Sequence, residues 1–439
     1  MVEEPFVYSA CAIRGLRAVR YGFYLGDDFD TLVDPASPPM LALPLLIGFL
    51  ASLGGALLLV PAARQLALAV GWVDAPDGHR KVHVTPTPNV GGLGIVGGVL
   101  VGLGTLAVLD GVGLVSVGEM LPSPFWLVGA VLIAAVGFLD DRVDLSHWTR
   151  LAAQLGVTVL VFADGARIGV LDGVLGGGAV ALGVSFALTA VWMVGMMNAV
   201  NLIDGLDGLA AGSVAVALGG LTAVYAINGT VGGVVLAAVL LGALGGFLRY
   251  NCAPASVFMG DSGSLFLGFS LAAYGLYGTA HADPLLNLMI PAVVMGLPVL
   301  DTGVSILRRL VTRRSLFAPD KDHIHHRLAA RMAPDAAVRV LWGISLFLAL
   351  GGVAMSALPA WAAFLVFAVG TAVIYDLLWR VQYLPSPAHV RERLQRRRTL
   401  RAIRADRAGA TVTPAARELP PRAGIIRNDR FLPASGPER

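Results

Sequence analysis

The chain has 439 residues, of which 56% are hydrophobic and only 14% are charged, and its formal net charge at pH 7 is +3. Soluble domains carry about 25% charged residues, so this composition excludes an ordinary soluble protein and indicates one that crosses a membrane many times. Two cysteines, Cys11 and Cys252, are too few and too far apart for a disulfide framework.

The first 40 residues differ in charge pattern from the rest of the chain. Arg14, Arg17 and Arg20 precede an aspartate-rich stretch, and no apolar core is long enough for a signal peptide. We expect either an amphipathic extension or a mis-called start, since Met40 directly precedes the first long apolar run.

The apolar runs predict an all-α, polytopic membrane protein. A transmembrane helix needs about 20 mostly apolar residues. On this measure we predict about eleven spans: 41–63, 91–109, 124–140, 150–165, 179–197, 208–227, 231–248, 263–280, 285–306, 337–357 and 360–380. Residues 41–380 are therefore the membrane domain, and 381–439 form an Arg-rich tail that we expect to be disordered.

Lys and Arg set the predicted orientation because they favour cytoplasmic loops. Loops 64–90, 141–150, 249–262 and 307–336 are basic, whereas the opposite loops hold only Arg167. The basic loops and the tail are thus predicted to be cytoplasmic. Four acidic or histidine-bearing clusters fall on this same side, and charged groups beside hydrocarbon are functional-site candidates.

The first cluster is Asp140-Asp141, at the end of predicted span 124–140. A helix C-terminus disfavours carboxylates, so the pair needs a reason to be there. It marks the membrane boundary, binds a cation or supplies a base; carboxylate oxygens are ligands that Mg²⁺ prefers.

The second cluster lies between two spans and holds two amides and two acids. Asn198 and Asn201 are three residues apart, as are Asp204 and Asp207, so a helical stretch places each pair on one face. Turn and helix-cap chemistry would explain one or two of these residues, but not four.

The third and fourth clusters point to phosphate. Asp261 or Ser262, just before a predicted span, would make an ordinary helix cap. This interpretation is compatible with an anion site, because a helix N-terminus also attracts phosphate. His323, His325, His326 and Arg327 lie in a basic loop. Their spacing lacks the separated pairs of a structural zinc site, which leaves a solvated loop or, as we favour, phosphate binding.

Taken together, these motifs resemble those of the polyprenyl-phosphate N-acetylhexosamine-1-phosphate transferases, over residues 41–380. The matching stretches, in order, are Asp74–Gly92, Gly137–Arg150, Asn198–Gly212, Asn251–Gly268 and Pro298–Leu328. The stretch Arg80-Lys81-Val-His83 and the final His-Ile-His-His-Arg-Leu point to the N-acetylglucosamine branch. The branch that uses UDP-N-acetylmuramoyl-pentapeptide is the alternative.

The resemblance implies a reaction, its partners and its location. A sugar-1-phosphate, most simply GlcNAc-1-phosphate, would pass from a UDP-sugar to polyprenyl phosphate in the bacterial inner membrane, with release of UMP. Mg²⁺ is the implied cofactor, with Mn²⁺ as an alternative. The reaction would initiate cell-wall or surface polysaccharide synthesis; a homodimer is an open alternative, and no nucleic acid is implied.

The resemblance also implies roles for the residues. Asp261 and Asn201 would be metal ligands, and Asp140, Asp141, Asp204 and Asp207 would be catalytic. Substrate binding would fall to the remaining polar and basic residues, namely Arg80, Lys81, His83, Arg150, Asn198, His323, His325, His326 and Arg327.

A transporter is the non-enzyme alternative. Transporters place ionisable groups at the middle of their spans. Here the middles of the spans are almost free of charge, and the polar groups collect at one rim. This pattern favours chemistry at the membrane surface.

Overall fold

The computed structural model describes residues 39–73, 86–229, 232–277, 283–311, 323–380 and 383. Every regular element in these ranges is helical, which confirms the all-α prediction. Arg80, Lys81 and His83, the N-terminal extension and the tail beyond Tyr383 lie outside the described residues.

The described α-helices are numbered in chain order. They are α1 (Pro39–Val70), α2 (Gly91–Gly111), α3 (Pro124–Val143), α4 (His147–Ala163), α5 (Asp172–Leu175), α6 (Gly178–Ile203), α7 (Leu209–Ile227), α8 (Gly232–Asn251), α9 (Gly260–Tyr277), α10 (Pro284–Val294), α11 (Gly296–Val311), α12 (Ile324–Ala329), α13 (Pro334–Ala357) and α14 (Ala360–Arg380).

The described part of each predicted span is largely helical, and the protein is a multi-pass membrane protein. Eight of the described helices are long and apolar enough to cross a bilayer, or up to nine if one bent pair counts as a single span. Helix α4, with 17 residues, is not among the eight, and neither is α9. The exact prediction of eleven therefore stays a prediction.

The predicted span 285–306 is wrong as one continuous helix. Helices α10 and α11 occupy this stretch and meet at an angle of 92°. Pro298 explains the break, because in a continuous helix its ring would clash with the carbonyl of Val294. Pro298 is tolerated in the first turn of α11, because backbone N–H groups in a first turn have no acceptor within the helix.

Helix α9 positions the functional residues because it packs against α2, α3 and α6. Nearly all of its side chains are buried. Glycines allow the approach: a Cβ added to Gly92 would lie 2.1 Å from the nitrogen of Gly263, and one added to Gly137 would lie 2.3 Å from the carbonyl oxygen of Asp261. The start of α9 is thus held directly against the ends of α2 and α3.

The chain divides into two units. One comprises Met1–Leu307 and Phe317–Tyr383, and the other comprises Arg308–Leu316 and Leu384–Arg439. Only 308–311 of the second unit are described. The described candidate site residues all belong to the first unit.

Candidate active site

Asp140 ties the end of α3 to the start of α4. Its Oδ1 accepts a hydrogen bond from the backbone N–H of Leu145 at 2.8 Å. Its Oδ2 lies 3.0 Å from Nη1 of Arg150, and the Asp140 side chain is only 2% exposed. A carboxylate this buried needs a charged partner, and Arg150 supplies one.

Asp141 caps the N-terminus of α9 from a different helix. Its Oδ1 accepts the backbone N–H of Asp261 at 3.1 Å and its Oδ2 accepts that of Ser262 at 3.4 Å. Asn89 also donates to Oδ1, at 3.1 Å. A carboxylate here is favoured by the helix dipole. The local cap expected from Asp261 or Ser262 is therefore replaced by one from α3, and the Asp261 carboxylate is left for other contacts.

Asn201 and Asp261 meet across the interface between α6 and α9. The amide nitrogen of Asn201 donates to Oδ1 of Asp261 at 2.8 Å and to Oγ of Ser264 at 2.9 Å. Oδ2 of Asp261 lies 4.0 Å from Nη1 of Arg150. The same Nη1 atom lies 3.0 Å from Oδ2 of Asp140, so the two carboxyl groups share one arginine. Asn201 thus orients Asp261 towards the other acids.

The loop after α6 brings Asp204 to the same place. Burial raises the pKa of Asp204 to about 7, and the neighbouring charges of Asp261, Asp141 and Asp207 add to the shift. Asp204 therefore holds its proton more readily than a free aspartate, because several carboxylates compete in one region.

Two predicted site residues make contacts away from the acids. Asp207 accepts a hydrogen bond from the backbone N–H of Ala255 at 2.9 Å, which connects the loop after α6 to the loop before α9. Asn198 donates to Gln154 at 3.0 Å and to the carbonyl of Val194 at 2.7 Å. Their predicted catalytic and substrate-binding roles stay predictions.

The histidine loop is anchored by Asp301 of α11. Oδ2 of Asp301 lies 2.9 Å from Nδ1 of His323, and Oδ1 accepts the backbone N–H of Ile324 at 2.9 Å. The hydroxyl of Tyr383 also donates to this carboxylate. Because His323 and Asp301 are both buried, the contacts of His323 indicate a positioning function.

His325 connects this loop to the acidic region. It packs on Gly205, where an added Cβ would lie 2.4 Å from Nε2 of His325. Burial is the main cause that lowers the pKa of His325 to about 4, with a contribution from the neighbouring His326, so the ring is neutral at pH 7. His326 is exposed, and Arg327 lies 5.9 Å from the ring centre of Tyr383.

A cleft of about 470 Å³ opens at the acidic residues. Its lining consists of Asn89, Asp140, Asp141, Arg142, Val143, Asp144, Arg150 and Asp261. In the described part of the chain, no three His, Cys, Asp or Glu side chains form a complete metal-binding group. Mg²⁺ commonly uses only one or two carboxylates together with substrate phosphates.

The donor set fits such a cation. Oδ2 of Asp140 is buried and receives no hydrogen bond of good geometry from any described residue, and Arg150 provides it with charge alone. Asp140 and Asp261 both lie near the same nitrogen of Arg150, at 3.0 and 4.0 Å. Hard oxygen atoms and excess negative charge are the features that favour a divalent cation.

Sequence patterns missed several residues that shape this site. Asn89 and Ser264 hydrogen-bond to Asp141 and Asn201, and Tyr383 secures Asp301. Asn89 had one signal, since it is a polar residue two positions before a predicted span. Tyr383 had none, because it lies beyond the last span.

Comparison with known proteins gives a family match and several named relatives. The model of glycosyl transferase family 4 matches residues 123–279. A Bacillus subtilis protein named probable undecaprenyl-phosphate N-acetylglucosaminyl 1-phosphate transferase is 34% identical over 326 residues, which cover 74% of this chain and 88% of that protein. The chain belongs to glycosyl transferase family 4.

Other members of family 4 extend the match. The Mycobacterium tuberculosis decaprenyl-phosphate N-acetylglucosaminephosphotransferase is 38% identical over 296 residues, covering 60% of this chain and 70% of that protein. The Escherichia coli K12 undecaprenyl-phosphate alpha-N-acetylglucosaminyl 1-phosphate transferase is 28% identical over 322 residues, covering 70% and 83%. The family model spans α3 to α9, which contain Asp140, Asp141, Asn201 and Asp261.

Proposed function

We propose that this protein transfers GlcNAc-1-phosphate from UDP-GlcNAc to polyprenyl phosphate and releases UMP. The observation that carries the proposal is the convergence of Asp140, Asp141 and Asp261 with Arg150 at one cleft. The names of the relatives support the choice of sugar and lipid. None of these relatives is named as a muramoyl-pentapeptide transferase or a transporter, and we do not favour those alternatives.

The chemistry is a displacement at phosphorus. An oxygen of the lipid phosphate attacks the β-phosphorus of the UDP-sugar, the bond to the bridging oxygen breaks, and UMP leaves with that oxygen. Phosphoryl transfer depends mainly on positioning and neutralisation of charge. In this mechanism Arg150 holds phosphate oxygens, and Asn201 and Asn89 keep Asp261 and Asp141 in place.

A direct displacement accounts for Asp140 better than a covalent intermediate does. Asp140 is buried, bonded to the backbone at Leu145 and paired with Arg150, so it is held as an organiser of the site. A nucleophile needs access to phosphorus. Enzyme that becomes radiolabelled by UDP-sugar with labelled β-phosphate, in the absence of lipid, would contradict this mechanism.

Mg²⁺ is part of the proposal, with Mn²⁺ as a substitute. Asp261 would hold it, with Asn201 as the second predicted ligand and Asp141 nearby. The ion would neutralise charge that develops on the diphosphate. We expect a chelator to abolish UMP release and added Mg²⁺ or Mn²⁺ to restore it; full activity in excess chelator would contradict the proposal.

The location of the site is also proposed. The excess of Lys and Arg in the loops supports a cytoplasmic cleft in a bacterial plasma membrane. Cysteine labelling tests this: a cysteine in place of exposed His326 should react in permeabilised cells and not in intact cells, after Cys11 and Cys252 are replaced. A homodimer stays a separate hypothesis that the mass of the purified protein would test.

The deciding experiment uses the purified full chain, a prenyl phosphate, Mg²⁺ and a panel of UDP-sugars. We expect UMP release that requires both the lipid and UDP-GlcNAc. UDP as the product would indicate a different glycosyl transfer. UMP release only with UDP-N-acetylmuramoyl-pentapeptide would establish the alternative branch.

A further inference from the structure

Arg142 is a cleft residue to which neither the motifs nor the proposed mechanism assigns a role. It lies in the last turn of α3, directly after the acidic pair. Its guanidinium carbon is 4.5 Å from the ring centre of Trp72 and 5.1 Å from that of Phe138. The two rings are 5.7 Å apart and meet at 67°. The guanidinium is therefore held in one orientation by two aromatic side chains.

The hydrogen-bond donors of Arg142 are not fully used. Nε and Nη2 are both buried and have no hydrogen-bond partner among the residues that the structure describes. A buried donor on a charged group is costly when it has no acceptor. Stacking on rings satisfies the face of a guanidinium but not its N–H groups, which point along its edge.

The surroundings of Arg142 show what acceptor would fit. The residue lines the same cleft as Asp141, Arg150 and Asp261. A planar guanidinium fixed on aromatic rings presents paired N–H groups to a phosphate without losing further side-chain freedom. With Arg150, it would give the cleft two arginines for a phosphate-bearing substrate.

We propose that Arg142 is an anion-binding residue that takes a phosphate group of one of the two substrates. The source is either the monophosphate of the lipid or the diphosphate of the nucleotide sugar. This inference rests on the proposed function, and it adds Arg142, positioned by Trp72 and Phe138, to the residues that hold substrate.

A purely structural role makes a different prediction. Arg142 is a basic residue at a helix C-terminus, where it also stabilises the helix dipole, and its stem packs on apolar surface. Loss of that role would lower thermal stability and affect both substrates alike. Loss of a phosphate contact would raise the KM of one substrate and leave the other little changed.

The test compares Arg142→Lys, which keeps the charge but loses the fork, with Arg142→Met, which keeps the stem. We expect KM for one substrate, prenyl phosphate or UDP-GlcNAc, to rise about 10- to 100-fold in both variants, as for a lost hydrogen bond to a charged group. Arg339→Lys and Arg339→Met are matched controls, because Arg339 is exposed and pairs with Asp335. The substrate whose KM rises identifies the phosphate.

A binding measurement separates this inference from the proposed function. Farnesyl phosphate and UMP are titrated into wild type and both variants by calorimetry. Weaker binding of one of these probes in the variants supports the anion site even if wild type releases no UMP. Unchanged KM and unchanged binding would overturn the inference, and so would an equal effect on both substrates with a lower thermal midpoint.

Discussion

Aspartates lie at both ends of the helix pair α3 and α9, but their surroundings differ. At one end, Oδ2 of Asp164 accepts hydrogen bonds from Ser123 at 2.6 Å and from Tyr277 at 2.7 Å. At the other end, Asp140 and Asp261 stand beside one another, with Arg150 3.0 and 4.0 Å from their nearest oxygens.

The difference separates a structural network from a functional one. A carboxylate that receives two hydroxyl hydrogen bonds is satisfied by the protein, so the Asp164 end closes the helix pair. Several neighbouring carboxylates repel one another even when each has a donor, and a bound cation would relieve that repulsion. Unbalanced charge, more than the presence of acids, marks the candidate active site.

The strongest test compares substitutions at the two ends: one should lower activity and the other should lower stability. We expect Asp261→Asn to lower kcat/KM about 10²- to 10³-fold, the loss typical of one electrostatic contact to the transition state. Its thermal midpoint should stay level or rise, because the variant removes like-charge repulsion. Activity is measured as UMP release, and stability as the thermal midpoint in detergent.

The matched control is Asp164→Ala. It leaves the Ser123 and Tyr277 hydroxyls without their acceptor, which costs about 1–3 kcal/mol of stability. Its kcat/KM should stay close to wild type at temperatures where the variant is folded. If Asp164→Ala abolished chemistry while Asp261→Asn only lowered stability, the comparison would be reversed.

A second test pushes the helices apart at the acidic end. Gly137→Ala places a Cβ 2.3 Å from the backbone oxygen of Asp261, so α3 or α9 must move. We expect a loss of about 1–3 kcal/mol from overpacking and a lower kcat/KM. Gly195→Ala on α6 is the control, because its Cβ would meet nothing within 4 Å. Equal effects of the two changes would show that the close approach is unimportant.

A third test concerns the anchored histidine loop. Tyr383→Phe removes the hydroxyl that donates to both the carboxylate and the backbone oxygen of Asp301, and we expect a loss of about 0.5–1.5 kcal/mol with a modest rise in KM. Tyr375→Phe is the control, since Tyr375 is 58% exposed on α14. Thermal midpoints and KM for UDP-GlcNAc are compared. If the thermal midpoint and KM of Tyr383→Phe equalled those of wild type, Tyr383 would have no part in anchoring the histidine loop.

The smallest expected effect is a pH dependence at Asp204. Its pKa is raised from 3.8 to about 7, so between these values the folded state binds more protons than the unfolded state. Its contribution to stability is therefore present at low pH and declines as pH rises towards 7. The effect is limited because Asp204 is partly exposed to solvent.

We expect Asp204→Asn to flatten the fall in thermal midpoint between about pH 5 and pH 7. Asp335→Asn serves as the control, because it removes an exposed carboxylate that pairs with Arg339. A wild-type midpoint that rises steadily over this range, and does so equally in Asp204→Asn, would contradict the assignment.

Sequence patterns predicted the helical class, the approximate positions of the spans and the acids that collect at one rim. These features depend on local composition, since the hydrocarbon layer tests each segment of about 20 residues separately. Local patterns failed at α10 and α11, where Pro298 breaks an apolar run that is long enough to span. They also did not identify the cap of α9: Asp261 or Ser262 is one interpretation of the local sequence, whereas Asp141 provides the cap.

Only the tertiary structure decided which acids meet. Asp141 accepts the N–H of Asp261, 120 residues later in the chain, and Asn201 reaches Asp261 across 60 residues. Composition establishes that the chain is a membrane protein, in which polar residues beside the apolar spans are functional-site candidates. Asp164 has its hydrogen bonds satisfied, whereas Asp261 lies among other carboxylates, and this difference depends on residues from other helices. Close packing at glycines such as Gly137 brings those helices together.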